Sequence, residues 1–238
     1  MRLALMQPYF FPYLGYFQLI TAVDRFILLD DVQYKDRGWI NRNRILKPTE
    51  GHQYINVPIA KHPSTTRIKD IKTIEETTWK KKIVRQIAHY EKAAPFFSDV
   101  GHLVSDAFAF VEPSVARLNA HYLRSVWAYL GIEFKIELSS TMGLDYSAVH
   151  GPGDWGWTIC DQLGAGEYIN PLGGASLFEK ERFEERGIKL TFIESTAPHY
   201  DQHRESFEPD LSIIDVLMFN SPKTVSKMLH DFNLYSRR

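Results

Sequence analysis

One cysteine in 238 residues is the sharpest shortage in this chain. Cys160 alone closes no internal disulfide and builds no cysteine-rich zinc site, a usage that suits a reducing compartment. Excess charge is missing as well. Lys and Arg number 28 against 29 Asp and Glu, a formal net charge of −1, so no global field draws the protein to nucleic acid or to an anionic membrane. No stretch approaches the roughly 18 consecutive apolar residues that a membrane helix needs, and the opening residues lack the charged, apolar and small-residue regions of a signal peptide. Fixed-period repeats, low-complexity tracts and a G-x-S-x-G serine elbow are absent too. These shortages lead to the expectation of a soluble, cytoplasmic protein with no nucleic-acid partner and no transmembrane segment. The length suits one large domain with appended pieces.

What is present gathers at the start. Arg2 to Gln7 is a short apolar run, Pro8 to Tyr13 is a turn loaded with aromatics, and Tyr16, Leu19, Ile20 and Val23 then fall at i, i+3, i+4 and i+7. Phe26 to Leu29 reads as a second buried strand. A strand, a helix and a strand in about thirty residues make a βαβ unit with parallel strands. Ligands in open α/β sheets bind beside the carboxyl ends of the strands. Gln7 follows the first strand, and Asp30 and Asp31 follow the second. The turn Tyr9-Phe10-Phe11-Pro12-Tyr13 either lines a pocket or packs over the end of the sheet.

The loop from Asp31 to Arg44 combines Arg37, Arg42 and Arg44 with Asn41, Asn43 and Trp39. Guanidinium forks match phosphate or carboxylate oxygens, amides orient a ligand, and an indole covers a flat ring. The same loop also reads as solvated, with its arginines paired to Asp30, Asp31 and Asp36.

Tyr54 to Ala60 and Arg67 to Ile71 read as strands, giving an expected hairpin insertion over residues 50–75. Thr78 to Tyr90 has helical spacing, with Lys80, Lys81 and Lys82 crowding its first turns. After Pro95 helix resumes from about Leu103, and Pro113-Ser114 opens a strong helix with Val115, Leu118, Tyr122, Val126 and Tyr129 on one stripe. Three times, at Gly131, Gly164 and Gly187, a helical segment ends at glycine and a strand follows, at Glu133 to Leu138, Tyr168-Ile169 and Leu190 to Ile193. Ser139-Ser140-Thr141 and Asn170 to Gly174 would then lie at strand ends, with Gly173 and Gly174 letting backbone N–H groups approach an anion before a helix. Gly151-Pro152-Gly153-Asp154 marks a loop or helix start with Asp154 as a cap. Residues 195–238 read as a helical extension. There His199, Asp201 and His203 alternate, as a metal site or as plain surface loop.

Three stretches, Met6 to Ile20, Asp30 to Tyr34 and Gly38 to Arg44, resemble the opening signature of the WbqC-like family. Leu163-Gly164-Ala165, Tyr168-Ile169-Asn170, Gly173-Gly174 and Leu211 to Asp215 extend that resemblance over essentially the whole chain. It implies a place in bacterial O-antigen or related polysaccharide clusters. The first βαβ unit alone also resembles nucleotidylyltransferases with an HxGH motif, which implies a Rossmann-like, HUP-type parallel sheet flanked by helices. Tyr13-Leu14-Gly15-Tyr16 stands where that motif would be. Both histidines are tyrosines here, and a neutral phenol does not lend the positive charge of an imidazolium to a transferring phosphoryl group; Arg42 or Arg44 would have to supply it.

The expectation is therefore a transferase, acyl or nucleotidyl, acting on a nucleotide, a nucleotide-sugar or an amino-sugar substrate. Tyr13, Gly15 and Tyr16 would sit at the helix start under the substrate. Gln7, Asn41, Arg42, Arg44, Asn170, Gly173 and Gly174 would bind it, with Trp39 as a stacking face. Asp30 or Asp31 would serve as general base or hold Mg²⁺ against a phosphate. The competing expectation is a nucleotide- or sugar-binding protein without turnover.

Overall fold

Side chains that alternate along short strands decide this architecture. In chain order the strands are β1 (Arg2–Met6), β2 (Arg25–Leu28), β3 (Arg42–Leu46), β4 (His52–Asn56), β5 (Ile136–Leu138), β6 (Glu167–Pro171), β7 (Lys189–Ser195) and β8 (Phe232–Ser236). Between them run the helices α1 (Leu14–Thr21), α2 (Thr78–Ile87), α3 (Phe97–Ala109), α4 (Val115–Tyr129), α5 (Asp154–Leu163), α6 (Lys180–Glu184), α7 (Ile213–Phe219) and α8 (Pro222–Met228). The structure is a computed structural model and describes residues 1–74, 78–196 and 199–236, so the expected 50–75 and 195–238 segments lie partly outside the described residues.

Six strands form one sheet in the order β5-β2-β1-β6-β7-β8. The pairings from β5 to β7 are parallel, and β8 adds antiparallel to β7. Ala4, Phe26, Leu28, Ile169 and Ile193 pack on one face with α1, α3, α4 and α7. Leu3, Leu5, Ile27, Tyr168, Leu190 and Phe192 pack on the other with α5 and α6. Both faces of a parallel sheet are covered in this way, which is why its strands read as apolar runs rather than as half-polar stripes. The result is a Rossmann-like α/β fold. Strand order reverses between β1 and β6, and a crevice opens at their carboxyl ends.

The helix stripes form as their spacing indicates: Tyr16, Leu19, Ile20 and Val23 are buried, as are Leu118, Tyr122 and Val126. Ser114 caps α4, its hydroxyl accepting the Arg117 N–H at 3.4 Å. The three glycine stops hold, with Gly131, Gly164 and Gly187 all left-handed at φ of 71°, 65° and 66°.

Four expectations need correction. The hairpin is built from β3 and β4, not from Tyr54–Ala60 with Arg67–Ile71. Pro58 supplies no N–H for a longer ladder, and Ile68 and Lys69 give their N–H groups to Val32 O and Asp30 O (both 2.9 Å), so Ile68–Asp70 winds as a 3-10 turn under the polar loop. Helix α3 begins at Phe97 rather than near Leu103, with Val100 and Val104 buried. The strand expected over Glu133–Leu138 is confined to β5. The C-terminal segment is not purely helical, because it ends in β8, whose side chains are mostly exposed and so carry no periodic signature. No helix among the described residues is long and apolar enough to cross a membrane.

One buried carboxyl ties the hairpin to the helices. Asp215 on α7 accepts the Tyr90 hydroxyl on Oδ2 and the Tyr200 hydroxyl on Oδ1, both at 2.5 Å, while Tyr90 Oη accepts the Leu46 N–H at 2.9 Å. Burial pushes the Asp215 carboxyl up to about 6, and the two tyrosine hydroxyls only partly offset it. Between the ordinary value of 3.8 and about 6 the folded chain therefore binds more protons than the unfolded one. Stability is full below that window and falls as pH rises through it, by on the order of 3 kcal/mol. Chemical denaturation of the wild type and Asp215→Asn from pH 4 to 7 should show this decline in the wild type alone; parallel profiles would contradict it.

Candidate functional site

The aromatic turn after β1 is fixed by donors aimed at its carbonyls. Asn119 of α4 donates Nδ2 to Pro8 O (2.8 Å) and to Ile40 O (2.7 Å), and Asn43 of β3 donates Nδ2 to Phe10 O (2.9 Å) and Phe11 O (2.7 Å). Ser212 adds its hydroxyl to Phe11 O at 2.7 Å, and the Ile213 N–H takes Pro12 O at 2.8 Å. Held so, with Phe11 in the left-handed region at φ 39°, the turn buries Phe10 and Phe11 against Tyr122. Tyr9 and Tyr13 are left facing two cavities.

The larger cavity, about 650 Å³, lies over the carboxyl ends of β1, β2 and β6. Gln7 and Tyr9 come from the end of β1, Asp31 and Lys35 from the loop after β2, Asn170 and Gly174 from the end of β6, and His150 and Trp155 from the start of α5. Aliphatic and aromatic walls with a few convergent polar groups are the usual make-up of a small-molecule site. The smaller cavity, about 310 Å³, lies on the other side of Tyr9 and is lined by Tyr13, Trp39 and Arg44 among others.

The two aspartates differ. Asp30 is 1% exposed; Oδ1 accepts the Ser139 hydroxyl and the Ser140 N–H at 2.9 Å each, and Oδ2 accepts the Ser140 hydroxyl at 2.7 Å. These bonds clamp the end of β2 to the end of β5 and leave Asp30 little to offer a substrate. Asp31 faces the cleft. Its Oδ1 accepts Lys69 Nζ at 2.7 Å with Arg67 at 3.7 Å, and its Oδ2 lies 3.1 Å from Ser139 Oγ. Tyr146, whose hydroxyl donates to Ser139 O, has its phenol pushed up to about 12, by burial first and then by the charge of Asp31.

The remaining expected residues divide. Tyr16 is wholly buried and spends its hydroxyl on Gln7 O at 2.8 Å. Gly15 is a packing position, since a Cβ there would come within 2.5 Å of the Tyr13 ring. Asn41 accepts the Tyr34 hydroxyl and donates to Val57 O. Arg42 donates to Gly38 O and Arg37 O and lies over the Tyr54 ring. Gly173 is exposed, and Gly174 packs where a Cβ would meet the Asn170 amide at 2.5 Å; both belong to a 3-10 turn rather than preceding a helix. Gln7, Asp31, Asn170 and Gly174 thus share the cleft, and Tyr13, Trp39 and Arg44 share the smaller cavity.

Lys80 caps the end of α3 by donating to Phe108 O and Phe110 O, and burial lowers its ammonium pKa. Cys160 is buried, which pushes its thiol up to about 12. Among the described residues no three His, Cys, Asp or Glu side chains gather as a metal site; His199 instead packs on Phe207. Asp154 is not a helix cap: it accepts the N–H groups of His150 (2.9 Å) and Gly151 (2.8 Å) and the Trp157 indole (3.1 Å). It folds the Gly-Pro-Gly loop back and so sets His150 at the cleft rim. His150, Trp155 and Lys35 were missed by sequence reasoning, although that loop signal stood beside the first two.

Comparison with known proteins agrees over the length of the chain. The family model described as WbqC-like protein family matches residues 7–227. The uncharacterized protein Rv1507c of Mycobacterium tuberculosis is 32% identical over 227 residues, covering 92% of this chain and 93% of the relative. No solved structure matches significantly.

Removing one of the donors that hold the turn tests its construction. Asn119→Ala leaves two buried carbonyls unpaired and should cost about 2–4 kcal/mol of unfolding free energy. A loss well below about 1 kcal/mol in urea titration would show that the turn is held by other means.

Proposed function

Since the chain belongs to the WbqC-like protein family, we propose that it is a cytoplasmic transferase of bacterial surface-polysaccharide or nucleotide-sugar biosynthesis, acting on a phosphate-bearing or amino-sugar substrate. The observation that carries this reading is the position of the 650 Å³ cleft at the reversal of strand order, where α/β sheets bind nucleotides and related ligands. Tyr9 and Trp155 offer ring faces to a sugar or base, Gln7 and Asn170 offer amides, and Lys35 offers a cation to a phosphate. Asp31 and His150 are the cleft groups able to take the proton released by an attacking amine or hydroxyl. A Mg²⁺ ion would have to share Asp31 with substrate phosphate oxygens, in competition with Lys69. The same reading treats residues 1–238 as one α/β unit, supported by the return of β8 to the edge of the main sheet.

A second reading, binding without turnover, is favoured by one pair of observations. Tyr16 is sealed in the core and Asp30 is locked to two serines, so one of the two motif tyrosines and one of the two candidate aspartates are spent on structure.

A thermal-shift screen against nucleotides, nucleotide sugars and amino sugars separates these readings. A ligand at a hundredfold over its dissociation constant should add about 2.7 kcal/mol of apparent stability. Tyr9→Ala should abolish the shift. Asp31→Asn should keep the shift but lose turnover if the protein is a transferase, whereas a binder shows the shift and no turnover in the wild type. No shift with any of these ligands in the folded protein would overturn both readings.

A further inference from the structure

The smaller cavity has a charge pattern that a nucleotide or neutral sugar does not use. Its walls are the rings of Tyr9, Tyr13 and Trp39, and its floor is Asn43, whose amide is spent on Phe10 O and Phe11 O and whose Oδ1 accepts the Arg44 N–H at 2.8 Å. Burial raises both phenols, Tyr13 to about 12, so these two walls stay neutral. Two charged groups remain. The Arg44 guanidinium lies 5.4 Å from the centre of the Trp39 ring and donates to the backbone carbonyl of Asp210 at 3.2 Å, while its Nε is enclosed and has no partner. Asp210, held in the left-handed region at φ 53°, thus meets Arg44 through its carbonyl, and the charge of its carboxylate helps raise the phenol of Tyr13 on the wall of the cavity that both residues line.

We infer that this cavity binds a small zwitterion, an α-amino acid, with its carboxylate on Arg44, its ammonium on Asp210 and its side chain against the aromatic walls. A phosphate would be repelled by Asp210, an amine alone by Arg44, and a neutral sugar would leave both charges unanswered. Aromatic faces add attraction for the ammonium. At about 310 Å³ the cavity sits at the lower end of small-molecule sites, which suits one amino acid better than a nucleotide. Tyr9 is the wall common to both cavities. An amino acid held there lies beside the ligand of the larger cleft, and its binding does not rest on the transferase reading.

Isothermal titration of the full chain with the common α-amino acids, without any nucleotide sugar, tests the inference. At least one should bind, and its N-acetyl and methyl-ester derivatives, each lacking one charge, should bind roughly tenfold or more weakly. Asp210→Asn keeps a residue type at home in left-handed backbone and should lower affinity about tenfold with Tm unchanged; Arg44→Gln should weaken binding at least as much, with a lower Tm because the Asp210 carbonyl and the Trp39 ring lose their cation. Binding by none of the amino acids, equal binding of the N-acetyl derivative, tighter binding of inorganic phosphate, or indifference to Asp210→Asn would overturn it. Because the nucleotide-sugar screen is read separately, failure here leaves the transferase reading standing, and failure there leaves the amino-acid site standing.

Discussion

Capture of the carbonyls between Pro8 and Pro12 is the constraint on which the rest of the site depends. The turn leaves the sheet at its switch point and must cross over the core before α1 begins, so its carbonyls point where water cannot reach them. A buried carbonyl without a donor costs about as much as several good contacts return. Asn119, Asn43 and Ser212 supply those donors from three separate parts of the chain. With the backbone held, Phe10 and Phe11 can go inward and Tyr9 can stand between two cavities.

That constraint also explains how the polar loop after β2 divides. Much of its Asn and Arg content is structural, with Asn43 holding the turn, Asn41 joining Tyr34 to Val57 O, and Arg42 folded back on Gly38 O. Asp31 and Lys35 are the charged groups of the loop that line the larger cavity, and Arg44 is the one that lines the smaller. The neighbouring Asp30 is a clamp. Two adjacent carboxylates in one motif have thus been given different work by the hydrogen-bond donors around them.

Local patterning makes much of the architecture legible in the sequence. The apolar runs of β1, β2 and β7, the stripe on α1 and α4, and the glycine stops at Gly131, Gly164 and Gly187 each fix a strand or helix by short-range physics. The hairpin was displaced because β3 is an Asn- and Arg-rich segment whose buried positions, Asn43 and Ile45, alternate with long polar side chains. Strand β8 left no trace because an edge strand exposed on both faces has no pattern to show. The places of Gln7, Asp31 and Asn170 around the cleft follow from their positions at strand ends. His150 and Trp155 could not be placed, since their position depends on how Asp154 turns a loop back upon itself, and Asp210 reaches the smaller cavity only through a long excursion before α7. At Tyr16 two signals pull apart: motif alignment puts it at a reactive place, helical spacing puts it in the core, and the structure buries it.

Hydrogen exchange read by mass spectrometry, with and without a saturating nucleotide sugar, addresses the central claim that ligands enter at the reversal of strand order. Protection concentrated in residues 6–9, 31–35, 149–155 and 170–178, with α3 and β8 unchanged, is the predicted result. Protection confined to the outer faces of the helices, or spread evenly over the chain without a maximum at those four segments, would contradict it.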